Sequence, residues 1–207
     1  MEVLEQLGII PVDYGALRSL LSGYNFPQNK IANLEREGKI IRLKRGLYVV
    51  SPDISKQLIS VELIANHLYG PSYVSMESAL RYYGLIPEQV HTVRSITVNR
   101  AKRFENTTGS FEYITVGKEY YPIGIRQQAN DKYAFLIASP EKALCDLITA
   151  TPYLKFQSAK AVATYLEYDL RFDMSALQNM DVTIVEQCAA TGKKKGSLRM
   201  MLNLLRQ

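Results

Sequence analysis

Apolar residues in the first part of the chain recur at helical spacing and then switch to alternation. Val3, Leu4 and Leu7 predict a short helix that Gly8, near Pro11, stops. Asp13 is placed to cap a second helix from Tyr14 to Leu21, in which Leu17, Leu20 and Leu21 share one side. Gly23 supplies a turn. Pro27 suits the first position of a third helix, where its missing N–H had no intrahelical partner to lose, and Gly38 ends that helix. Ile41 and Leu43 then alternate with Arg42 and Lys44, Arg45-Gly46 reverses the chain, and Leu47 to Val50 form a second strand. Helices followed by a basic ribbon predict a winged helix-turn-helix over residues 1–52, and Pro52 marks a boundary.

Residues 53–207 read as a separate, helix-flanked mixed α/β domain, so the expected class is α+β. Val61, Ile64, Ala65 and Leu68 give one helix, and a second runs from a Ser75 cap to Gly84. Short stretches rich in β-branched and aromatic residues predict strands at Ser95–Val98, Phe111–Val116, Tyr121–Ile125 and Tyr133–Ile137. Ser139-Pro140-Glu141 opens a further helix with a cap, a proline in the first turn and a carboxylate at the positive end of the dipole. From Ala159 onward the pattern is amphipathic and helical, closing on Leu198, Leu202 and Leu205.

Composition is that of an ordinary packed protein, with 47% hydrophobic and 22% charged residues. A net charge of +5 favours a polyanionic partner only modestly. Cys145 and Cys188 lie in apolar helical patterns, as buried free thiols do in a reducing compartment. No apolar run approaches the ~18 residues of a membrane span, and the N-terminus does not resemble a signal peptide. A soluble cytoplasmic protein with no membrane partner is expected.

The charge matters more where it sits. On the third helix Ile31 and Leu34 take one side, while Asn29, Asn33 and Arg36 project about opposite. Asparagine can pair with adenine and arginine with guanine in a major groove, and Gln28 and Lys30 flank that face. Lys39, Arg42, Lys44 and Arg45 on the ribbon are placed to bond phosphates and fix register on double-stranded DNA. Glu35 and Glu37 lie beside them, as they would on a winged helix that docks protein instead.

Three stretches carry a family resemblance: Arg42-Leu43-Lys44-Arg45-Gly46-Leu47-Tyr48, then Tyr73 to Leu80 with Gly84-Leu85 following, and Ser139-Pro140-Glu141-Lys142-Ala143-Leu144-Cys145-Asp146. In this order they resemble the AbiEi family of bacterial antitoxins and transcriptional regulators. The resemblance implies a winged domain that represses its own operon. It also implies a C-terminal domain that counters a nucleotidyltransferase-like toxin, without requiring a stable complex with it. A turn through Gly23-Tyr24-Asn25-Phe26-Pro27 is longer and more aromatic than the family pattern. The alternative is a winged-helix regulator whose C-terminal domain senses a ligand or a protein partner.

Signals for catalysis are sparse, and no enzyme activity, metal or cofactor is expected. His67 and His91 stand apart from any metal-spaced cluster, and the common phosphate-cradling and acyl-transfer motifs are absent. Five residues separate Glu141 from Asp146, which sends them to different faces of a helix, and Ser75 and Ser78 read as helix-start residues rather than nucleophiles. Lys193, Lys194, Lys195 and Arg199 form the strongest basic run. It reads as a solvated loop, with a second nucleic-acid or toxin-facing surface as the functional alternative. The tyrosines, among them Tyr82, Tyr83, Tyr120 and Tyr121, read as packing residues.

Overall fold

A computed structural model describes residues 2–88 and 91–207; the side chains of Glu2 and Val3 lie outside the described set, and with them the expectation for Val3. The chain is a mixed α/β fold. It begins with α1 (Glu2–Leu7), β1 (Val12–Asp13), α2 (Tyr14–Leu20), α3 (Pro27–Arg36), β2 (Ile40–Lys44), β3 (Leu47–Val50) and α4 (Pro52–Ser55). The local reasons match the pattern: Asp13 Oδ1 accepts from the Ala16 N–H at 2.8 Å, Pro27 opens α3, and Gly38 leaves it at φ +68°. The strands form an antiparallel sheet in the order β1-β3-β2.

Leu4, Leu17, Leu21, Ile31, Leu34, Ile40, Tyr48 and Val50 close a small core here, and Ile54 of α4 packs on it. Leu20, expected inward, is 43% exposed because the buried stripe of α2 runs through Leu17 to Leu21 instead. Ile9, Leu43, Leu47 and Val49 turn the other way and join a second, larger core. The ribbon is therefore covered on both faces, and all of β3 is buried. Its outer strand is also tied down, since Asn106 Nδ2 donates to the Leu43 carbonyl at 3.0 Å.

The larger core belongs to α5 (Val61–Leu68), β4 (Ser72–Val74), α6 (Met76–Tyr82), β5 (Thr92–Thr97), β6 (Lys102–Asn106), β7 (Gly109–Thr115), β8 (Ile125–Ala129) and β9 (Ala134–Ala138). Helices α7 (Pro140–Ala150), α8 (Ala159–Thr164), α9 (Val182–Thr191) and α10 (Lys195–Leu205) follow, with a π-helical turn at Tyr165–Asp169 and a 3-10 turn at Met174–Asn179. The six strands run in the order β6-β7-β5-β4-β9-β8, with β4–β9 and β5–β7 parallel and the other pairs antiparallel.

Of the strand expected at Tyr121–Ile125, residues 121–124 are a turn and only Ile125 enters β8. Pro122 offers no N–H to a ladder, and Gly124 sits at φ +62°. The edge strands β6 and β8 escaped the pattern because their solvent-facing positions are charged or amide-bearing, as exposed sheet edges commonly are. Among the described residues no helix is long and apolar enough to cross a membrane.

Candidate nucleic-acid interface

Helix α3 is anchored by Ile31 and Leu34, which are buried. That fixes its opposite face: Gln28, Asn29, Asn33 and Arg36 are exposed, and Lys30 is half-buried with its Nζ 5.0 Å from the centre of the Tyr24 ring. Arg36 Nη2 donates to Asn33 Oδ1. The pair braces both side chains but occupies the oxygen that Asn33 would need for a bidentate contact with adenine. Asn29, one turn earlier, has no hydrogen-bond partner for its side chain among the described residues.

The acidic neighbours are engaged with the basic ones. Glu35 accepts from Arg42 Nη2 at 2.8 Å, and this bond and charge raise the guanidinium pKa. Glu37 lies 2.6 Å from Lys39 Nζ, whose hydrogen bond and charge hold the Glu37 carboxyl below its ordinary value. Exposed pairs of this kind are screened by solvent and contribute little, so a phosphate can replace the carboxylate at little cost. Arg42 also stands 5.8 Å from the centre of the Tyr48 ring. Arg45 at the hairpin turn is exposed and makes no ion pair among the described residues.

Lys44 is a correction. The register shifts between Arg42 and Lys44, so strict alternation fails and the side chain turns toward the larger core. Its Nζ donates to the Leu68 carbonyl at 2.5 Å and sits 5.9 Å from the Phe104 ring centre. Burial, and then the charge of Lys102, lower its pKa. Lys44 holds the ribbon down and leaves the phosphate-facing set. Lys102, which pattern reasoning missed, also lies over the Phe104 ring, at 4.9 Å from its centre, and is exposed. Its signal lay in the basic start of the unrecognised β6.

A second cluster is sealed inside. Lys142 and Asp146 are fully buried, with Nζ 3.2 Å from Oδ1. Asp146 Oδ2 accepts from Ser75 Oγ at 2.6 Å and from the Tyr73 hydroxyl at 3.1 Å. Lys142 Nζ donates to the Tyr120 carbonyl at 3.0 Å and lies 3.1 Å from that ring's centre. Burial raises the Asp146 pKa against the pull of Lys142 and Ser75. Ser75 is thus a buried donor rather than a cap: it makes no capping bond, and its hydroxyl reaches Asp146 on α7 instead. Ser78 likewise accepts from the Arg94 N–H at 2.9 Å.

Glu141 and Asp146 do diverge. Glu141 accepts from the Asp181 N–H at 3.0 Å and has Arg126 at 3.8 Å, a role beyond the helix dipole. Cys145 and Cys188 are buried and free. His67 is exposed and bonds the Leu63 carbonyl at 3.0 Å; among the described residues no group of three His, Cys, Asp or Glu could hold a metal.

The basic run is split by the fold. Lys193, Lys195 and Arg199 are exposed, but Lys194 bonds the carbonyls of Ile148 and Leu154, both at 3.0 Å, and of Thr151. Lys194 therefore caps the end of α7 and is not part of a solvated loop. Comparison with known proteins finds no matching family model and no matching curated relative.

Proposed function

We propose that residues 1–52 form a winged helix-turn-helix that binds promoter DNA, and that the chain is a cytoplasmic autorepressor and antitoxin of the AbiEi kind. One observation carries the reading. The exposed face of α3 (Gln28, Asn29, Asn33 and Arg36) is held rigid by Ile31 and Leu34, and Arg42 is held beside it through Glu35, with Arg45 at the exposed ribbon turn. A helix for a groove and a neighbouring basic turn for phosphates is the division of labour that such domains use.

The buried cluster supports the antitoxin part. Two of the three family-like stretches, 71 residues apart, meet in the Ser75–Asp146 hydrogen bond, as parts of one structural motif would. Because Asp146 is sealed and Glu141 faces other partners, the acidic pair offers no shared solvent-facing centre, and the chain is read as acting by binding rather than by turnover.

A gel-shift titration on the chain's own upstream promoter tests this. The wild type should give a specific, salt-weakened shift, and Arg36→Ala/Arg42→Ala/Arg45→Ala should lose it. No shift at micromolar wild-type protein overturns the DNA reading and leaves a winged helix that docks protein. Co-expression with a neighbouring nucleotidyltransferase-like toxin tests the second half, restored growth being the expected result.

A further inference from the structure

All of the chain's positive surplus resides in two segments. Residues 147–166 and 187–207 contain no Asp or Glu but seven basic residues: Lys155, Lys160, Lys193, Lys194, Lys195, Arg199 and Arg206. Of 25 Lys and Arg in the whole chain, 18 are left to face all 20 Asp and Glu elsewhere. The fold lays the two segments side by side. Lys194 bonds carbonyls on both sides of Tyr153, the Phe156 N–H donates to Ser197 Oγ at 2.9 Å, and α10 packs on α8. Lys155 directly follows Leu154, whose carbonyl Lys194 holds, and so flanks the same junction.

Tyr153 stands at the tip of this construction. It is 96% exposed, the most exposed large hydrophobic side chain among the described residues. Its backbone is in the left-handed region at φ +60°, and the Leu154 N–H donates to the Pro152 carbonyl at 2.8 Å, so it is the central residue of a γ-turn. A bulky residue is rarely held in that conformation, and here Lys194 and Ser197 fix the turn from beneath. The result is an uncovered aromatic ring on a fixed backbone turn, with exposed Lys155, Lys193 and Lys195 on the segments around it and no Asp or Glu on either segment; Arg206, at the far end, is taken up by Glu186.

We infer that this surface binds single-stranded nucleic acid, with Tyr153 stacking on an unpaired base and Lys155, Lys193 and Lys195 holding the adjoining phosphates. A stacking ring among cations is the chemistry by which single strands are bound without sequence preference. A duplex already stacks its own bases and would use the lysines alone. The inference is independent of how α3 is used.

Fluorescence anisotropy on the full chain tests it, with labelled uridine and deoxythymidine strands of about 12 nucleotides and a duplex of the same length. The Arg36→Ala/Arg42→Ala/Arg45→Ala background removes the N-terminal contribution, so the result does not hang on the DNA reading above. Tyr153→Ala should weaken single-strand binding about tenfold, Tyr153→Phe should leave it within about twofold, and duplex binding should be unchanged in both. Lys193→Ala/Lys195→Ala should also lower the salt dependence by about two phosphates. Tighter binding of the uridine strand supports RNA as the ligand, and tighter binding of the deoxythymidine strand supports single-stranded DNA. Equal affinities of Tyr153→Ala and its parent, duplex bound as tightly as single strand, or no binding up to about 100 µM would each overturn the inference. Tyr153 is solvent-exposed, so an unchanged thermal melt for Tyr153→Ala separates lost binding from lost fold.

Discussion

Ser75 Oγ donates a 2.6 Å hydrogen bond to Asp146 Oδ2, tying the residue that follows β4 to the middle of α7. The bond matters because Asp146 is also the partner of Lys142, and neither reaches solvent. Two buried charges cost several kcal/mol each to desolvate, which their mutual attraction offsets only while every lone pair and proton is placed. Ser75 and Tyr73 place Oδ2 and the Tyr120 carbonyl takes a Lys142 proton, whereas Asp146 Oδ1 makes no hydrogen bond and is balanced by the Lys142 charge 3.2 Å away.

Removing one charge should therefore hurt more than removing both. Lys142→Met leaves Asp146 buried without its cation and should cost about 3–5 kcal/mol in urea unfolding, whereas Lys142→Met/Asp146→Leu should recover most of the loss. A single variant within about 1 kcal/mol of the wild type would show that water reaches the pair.

Much of this was legible beforehand, and the gaps have physical causes. Asp13, Pro27 and Gly38 bounded their helices because capping and φ restriction act within a few residues. Ser139 likewise capped α7, accepting from the Lys142 N–H at 3.3 Å. Lys142 and Asp146 stand one turn apart on α7, but their burial was invisible because Tyr73, Ser75 and Tyr120, which enclose them, come from β4, the residue after it and the turn before β8, which only the fold assembles. Lys44 and Lys194 were misread for one shared reason: a lysine on a polar stretch is taken as solvated, yet each ends on backbone carbonyls that another element brings to it. Tyr153 was legible only as a tyrosine; its γ-turn and exposure are products of tertiary packing.

The different fates of neighbouring Lys44 and Arg45 give a clean separation. Lys44→Met removes the bond to the Leu68 carbonyl and should lower stability by ~1 kcal/mol, discounted for partial exposure, while promoter affinity stays within about twofold. Arg45→Ala should do the reverse, leaving the urea midpoint unchanged and weakening the gel shift with a shallower salt slope. A loss of DNA binding in Lys44→Met without loss of stability would return Lys44 to the phosphate-facing set.

Buried tyrosines set the alkaline limit. Burial raises the pKa of Tyr73, Tyr120 and Tyr113 above the ordinary value of 10.0, and pushes Tyr165 up to about 12, with the charge of Glu77 adding to it. Below pH 10 folded and unfolded chains both keep these protons. Above it the unfolded chain releases them first, so stability is lost as the pH rises from 10 toward 12. Absorbance at 295 nm should show part of the 14 tyrosines titrating normally and the rest only as the chain unfolds. Tyr165→Phe should make the fall less steep, and an unchanged slope would remove Tyr165 from the account.

Gly192 offers the sharpest steric test of the sealed cluster. Its backbone lies at φ −79°, where any residue is comfortable, so a substitution there probes space alone. A Cβ would stand 2.6 Å from the Cys188 carbonyl oxygen and 2.7 Å from Tyr120 Cε2, both closer than real contacts allow. The carbonyl is helical backbone and cannot retreat, and the Tyr120 ring is pinned against Lys142 Nζ at 3.1 Å from its centre. Gly192→Ala should therefore displace the ring, disturb the Lys142–Asp146 pair, and cost about 2–3 kcal/mol in urea unfolding. Gly23→Ala, which meets nothing within 4 Å, is the control and should change stability by less than about 0.5 kcal/mol. Equal midpoints for the two variants would mean that Tyr120 can move freely, and the close-packed account of the cluster would fall with it.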